Sequence, residues 1–143
     1  MTQLRNPYQQ QIDEASNMQS TLQQTTRDHE LAIEAYRMGQ RYQRTTNEAY
    51  ALVESEFLLD LSYTDEYKAA KNAEARKMIQ DVALIKARQA GGPLVGAWRA
   101  KINADGDLFN AQLAYEQSEA KFKAVCMAAM LQGSMLKAAA IGW

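Results

Sequence analysis

The sequence predicts an all-α fold of long antiparallel helices, forming a helical bundle or coiled-coil-like oligomer. Three observations carry that prediction. Residues of high helix propensity dominate the chain. Its only prolines are Pro7 and Pro93, and no glycine occurs between Gly39 and Gly91. Apolar residues recur at alternating three- and four-residue steps through most of the length. The chain has 143 residues, which suits a single helical domain over 1–143.

Asn6 followed by Pro7 reads as a helix start, since asparagine can accept free first-turn amides and proline at the first helical position sacrifices no hydrogen bond. A first helix is expected over about 7–25, with a break near Thr26 to Asp28 where threonines dilute the helix signal. A second is expected over about 28–60. Its seam reads Leu31, Ala35, Met38, Tyr42, Thr45, Ala49, Leu52, Glu56 and Leu59, beside a stripe of Ala32, Tyr36, Tyr50, Val53 and Phe57. Thr64 is placed to cap a third helix over about 65–90, with Asp65 and Glu66 at its positive end and a seam of Ala75, Met78, Val82 and Ile85. Gly91-Gly92-Pro93 stops it. A connector over 91–106 is expected to end in the turn pair Asp105-Gly106. The last helix, about 107–140, repeats Leu108, Tyr115, Phe122, Ala129 and Leu136 at intervals of seven, with Ala111, Ser118, Val125, Gln132 and Ala139 as the second seam position.

Composition narrows the function. A lone Cys126 excludes an internal disulfide, and with one His29 it cannot supply a Cys/His zinc site, so neither metal nor cofactor is expected. The reading is of a protein of the reducing cytoplasm, without a secretory signal at its start. Lys137 is the only charge from Val125 to Trp143, but Gln132, Gly133 and Ser134 interrupt that run, so a subunit-facing helix is expected there and no membrane span. Phosphate loops, nucleophile elbows and paired-histidine motifs are all missing, so the expectation is of no enzyme and no catalytic residue. Asn103, Asp105 and Asp107 imitate a calcium loop, but its glycine position holds Leu108 and its terminal glutamate position Ala114.

Net charge is −1, yet residues 1–60 carry 5 basic and 9 acidic side chains, and residues 61–143 carry 11 and 8. Such polarity can bring unlike ends of two copies together. Single-strand binding joins cations to aromatic faces. Two groups offer that combination. Arg37, Arg41 and Arg44 share one helical face near Tyr36 and Tyr42, with Glu30, Glu34 and Glu48 continuing the stripe as possible ion-pair partners. Lys86, Arg88, Arg99 and Lys101 bracket Trp98 in a stretch without acids between Asp81 and Asp105, where the tryptophan either stacks on bases or plugs the end of a bundle.

The passage Tyr63-Thr64-Asp65-Glu66-Tyr67-Lys68, followed by Lys71-Asn72-Ala73-Glu74-Ala75-Arg76, resembles a group of small helical phage proteins, and Ala120 to Ala124 (Ala-Lys-Phe-Lys-Ala) matches the type of final helix found in them. The group is similar to UvsY-type recombination mediators, and the resemblance covers roughly residues 60–90 and 108–140. It implies a helical homo-oligomer in the bacterial host cytoplasm that binds single-stranded DNA, displaces a single-strand-binding protein and helps load a recombinase. Two other roles suit a small helical non-enzyme: a phage inhibitor of a bacterial defence nuclease, and a virion assembly or scaffolding protein. Self-association is expected through the last helix at Phe122, Val125, Ala129, Met130 and Leu136, because an all-round apolar helix is normally buried all round.

Overall fold

A computed structural model describes residues 8–141, with side chains to residue 138. It is all α-helical, and no strand occurs among the described residues. The helices are α1 (Gln9–Ser62), α2 (Asp65–Lys68), α3 (Ala73–Ala87) and α4 (Val95–Ile141). The Asn6-Pro7 start lies outside the described residues.

The expected break at Thr26 to Asp28 does not occur. α1 is one helix of 54 residues. Its hydroxyls bond the helix's own carbonyls, Thr26 Oγ1 donating to Leu22 O at 2.7 Å and Thr45 Oγ1 to Arg41 O at 3.0 Å, so they stop competing for backbone partners. Thr25 is buried, and its packing outweighs its weak propensity.

Thr64 caps as expected, its side chain accepting from the Tyr67 amide, but the helix it starts is one turn long. Asn72 begins α3 afresh by accepting the Ala75 amide on Oδ1 at 2.8 Å, so the expected single helix over 65–90 is two. α3 ends earlier than expected, at Ala87 with Arg88 as a right-handed C-cap, and Gly91 takes the left-handed conformation (φ 83°) in the turn that follows, where a Cβ would be strained. A Cβ on Gly92 would collide with the carbonyl of Ala87.

The expected connector over 91–106 is mostly helix, because α4 starts at Val95 and carries Asp105-Gly106 in its interior. Leu94 anchors that start: it is the largest fully buried side chain, its amide donates to Ala87 O and its carbonyl accepts from the Trp98 amide. Ala104 is fully buried, and Asp105 accepts from Gln43 Nε2 at 2.8 Å, which ties the presumed turn to α1.

The contacts fall into two compact units. In the first, α1 up to Tyr36 runs antiparallel to α4 from Ala111 onward. A run of stacked rings joins them: Tyr36 on Tyr115 (5.4 Å between centroids), Tyr115 on His29 (5.8 Å) and His29 on Phe122 (5.1 Å). His29 is thus half-buried. Ser118 Oγ donates to Tyr115 O, so the 3.0 Å bond from His29 Nδ1 to Ser118 Oγ is donated by the imidazole.

The second unit, Arg37–Asn110, holds the rest of α1 against α3 and the first part of α4, also antiparallel to α1. Its core is Tyr50, Ala87 and Leu94, lined by Val53, Phe57, Leu84, Ala97 and Trp98.

The seam expected on the second helix points outward. Leu31, Ala35, Met38, Tyr42, Thr45, Ala49, Leu52, Glu56 and Leu59 are all exposed. The inward row lies one residue on, and Ala32, Tyr36, Gly39, Gln43, Thr46, Tyr50, Val53 and Phe57 are all half-buried or buried. On α3, Met78, Val82 and Ile85 are exposed too. The seam read for the last helix does face inward: Leu108, Ala111, Tyr115, Ser118, Phe122, Val125, Ala129 and Gln132 are half-buried. Leu136 is exposed, and the side chain of Ala139 is outside the described set.

Candidate nucleic-acid interface

Eight residues form the candidate interface, and the second unit holds all of them. Arg88 ends α3 and turns back into the core. Its Nε donates to the Tyr50 hydroxyl at 2.7 Å and its Nη2 lies 3.4 Å from Glu54 Oε2. The guanidinium carbon sits 4.1 Å from the centre of the Trp98 ring, within cation–π range. Lys101 Nζ approaches the same pair of rings, 5.2 Å from Tyr50 and 5.3 Å from Trp98. Trp98 packs on Tyr50 at 5.3 Å between centroids.

Trp98 therefore belongs to the core of this unit, and its neighbourhood is already taken by two cations of the same chain. Burial pushes the Tyr50 phenol above its ordinary value, the nearby Glu54 carboxylate adds to the rise, and the Arg88 bond opposes it. Arg99 and Lys86 are exposed. Lys86 borders an apolar groove on α3 with Leu61, Met78, Ile79 and Val82.

The first patch is different. Arg37, Arg41 and Arg44 are all exposed on α1. The ion pairs among the described residues are Arg88–Glu54 and Lys123–Glu119, so Glu30, Glu34 and Glu48 do not neutralise these three arginines. Of the two tyrosines beside them, Tyr36 is stacked on Tyr115 and Tyr42 is exposed. An exposed, unpaired guanidinium row can track phosphates at spacings set by the helix.

The residues expected to associate copies divide likewise. Phe122 stacks on His29 within its own chain, and Val125 and Ala129 are half-buried on that face. Met130 is 73% exposed, and Met127, Leu131 and Met135 are exposed beside it. Pairing with α1 leaves most of this apolar helix in water.

Among the described residues, no group of three His, Cys, Asp or Glu side chains is placed to hold a metal ion, and no helix is long and apolar enough to cross a membrane. No family model, curated protein or solved structure matches the chain.

Proposed function

We propose that the protein is a helical homo-oligomer that binds single-stranded DNA and serves as a recombination mediator, assisting the loading of a recombinase. The observation that carries the DNA reading is the unpaired row Arg37, Arg41 and Arg44. Holding three guanidinium groups on one stripe without counter-ions costs self-repulsion, and a polyanion relieves it. Arg99 and Lys86 supply further exposed cations in the same unit. Arg88, Lys101 and Trp98 support the unit instead of touching DNA. Self-association is supported by the exposed Met127, Met130, Leu131 and Met135, since a monomer seldom leaves such a patch in water. The mediator role itself rests on the resemblance of residues 60–90 and 108–140.

Fluorescence anisotropy with a labelled oligonucleotide tests the reading. Binding should weaken with salt, and replacing Arg37, Arg41 and Arg44 by alanine should lower affinity and flatten the salt dependence by ~0.7 per lost contact. Wild-type protein that binds no oligonucleotide at low salt overturns the proposal. A stable complex with one host protein and no DNA binding would assign the chain to inhibition instead.

A further inference from the structure

The exposed row on α1 has a specific geometry in the second unit. Met38, Tyr42, Thr45, Ala49, Leu52 and Leu59 follow coiled-coil spacing, with Met38 and Leu52 each 62% exposed, Leu59 56% and Tyr42 51%. The row that faces α3 and α4 is one residue later, and it holds Gly39, Gln43 and Thr46. The arginine row is one residue earlier: Arg37, Arg41 and Arg44 precede Met38, Tyr42 and Thr45, and Glu48 precedes Ala49. One residue is ~100° of helix, so the apolar strip lies between the arginines and the chain's own packing face.

We infer that this strip is the seam of an antiparallel, two-fold pairing with a second copy of the chain, centred near Thr45, and that the pairing joins two arginine rows into one DNA-binding strip. The inference rests on the proposed self-association and DNA binding and adds to the apolar patch on α4 a second contact surface, on α1. The row matches itself when reversed. Met38 and Leu52 are each seven residues from Thr45 and meet each other, while Tyr42, three residues before it, comes within one residue of Ala49, four after it, bulky against small.

Charge selects the direction. Arg41 and Glu48 lie on the same side of the strip, four residues before Thr45 and three after it. Reversal about Thr45 therefore brings Arg41 of each copy beside Glu48 of the other, giving two equivalent ion pairs across the seam. A parallel pairing would set Arg41 against the row of Gly39, Thr46 and Val53, which carries no charge.

The same symmetry fixes what the dimer displays. A two-fold axis perpendicular to both helices keeps each side of the seam on its own side. Both arginine rows then share one face, and the packing partners of α1 in the second unit lie on the other. Arg41 neutralises Glu48, the acid that would repel phosphates, and Arg37 and Arg44 of both copies remain for the strand. Parallel pairing would put the two rows on opposite faces.

Disulfide trapping in full-length protein with Cys126→Ser tests this. Thr45→Cys should cross-link to itself under mild oxidation and Leu59→Cys should not, because Leu59 is displaced fourteen residues from the axis. Sedimentation should show Leu52→Asp weakening association by ~100-fold, since each dimer loses two buried leucines. Arg41→Glu should weaken it and Arg41→Glu with Glu48→Arg should restore it. Leu52→Asp should also lower the salt slope of oligonucleotide binding, with helix content by circular dichroism unchanged. A wild-type monomer at micromolar concentration overturns the self-association reading and this inference together. An oligomer in which Thr45→Cys does not cross-link and Leu52→Asp changes nothing overturns this surface alone. Self-cross-linking of both cysteine variants would show a parallel seam and refute the joined strip.

Discussion

Replacing Arg88 by alanine separates a cation that holds the fold from one that holds DNA. Four interactions end with that side chain, one of them a guanidinium contact 5.6 Å from the centre of the Tyr50 ring. The charge-assisted bond to the Tyr50 hydroxyl, 2.7 Å long, contributes ~1.5–3 kcal/mol. The guanidinium stacked 4.1 Å from the Trp98 centroid adds ~0.5–2 kcal/mol. The pair with Glu54 joins side chains that are each 28% exposed, so solvent screens it to ~0–1 kcal/mol. Contacts that share one side chain do not add fully, and the expected loss is about 3 kcal/mol. For a chain of this size that is a fall in Tm of ~6–12 °C. Thermal and urea unfolding followed by circular dichroism measures it. Arg99→Ala, at an exposed position, serves as the control and should unfold like wild type. Arg88→Ala protein kept below its lowered Tm should bind an oligonucleotide with wild-type affinity. If instead the variant unfolds within about 1 °C of wild type and loses DNA affinity, Arg88 is a phosphate contact and the internal role argued for it is wrong.

Two further outcomes follow from the same core. Leu94→Ala should cost ~2–5 kcal/mol in urea unfolding, because Leu94 is only 1% exposed and its truncation leaves a cavity in the core; a loss below ~1 kcal/mol would mean that the site collapses around the cavity. Tyr50 should make the protein alkali-sensitive: its phenol holds its proton more tightly folded than unfolded, so its contribution is complete below the ordinary tyrosine value near 10 and disappears as pH rises through the raised folded value. Wild type should therefore lose stability above that pH more steeply than Tyr50→Phe, and equal slopes would refute the assignment.

The sequence carried the fold class and several boundaries because those depend on local chemistry. Thr64 caps a helix, α3 ends a few residues before the Gly91-Gly92-Pro93 signal, and the heptads from Leu108 to Gln132 face inward as their spacing requires. The boundaries that were misread are those where a local signal is overridden from a distance. Asp105-Gly106 has turn composition, yet Gln43 holds Asp105 from 62 residues away and Ala104 is fully buried.

The same cause hid the packing face of α1. Periodicity ranks rows by apolarity, and the row from Leu31 to Leu59 outranks the one beside it, which includes His29, Gln43, Thr46 and Tyr50. Four of the polar side chains on that inward face nevertheless find a bond: His29 with Ser118, Gln43 with Asp105, Thr46 with the Gln43 carbonyl, Tyr50 with Arg88; the buried Asn47 Oδ1 beside them has none. Three of those partners are 89, 62 and 38 residues away, and no periodicity along one helix contains them. Pairing these four groups lowers the cost of burying a row that periodicity ranks second. The more apolar row is then left free to meet something else.

Arg88, Lys101 and Trp98 carry two readings in the sequence for a related reason. A nucleic-acid site and an internal cation–aromatic cluster are made of the same residues, and they differ only in whether the ring faces and charges are already occupied. In Arg37, Arg41 and Arg44 the charges are not occupied, which is why the proposed DNA contact moves from the tryptophan to α1.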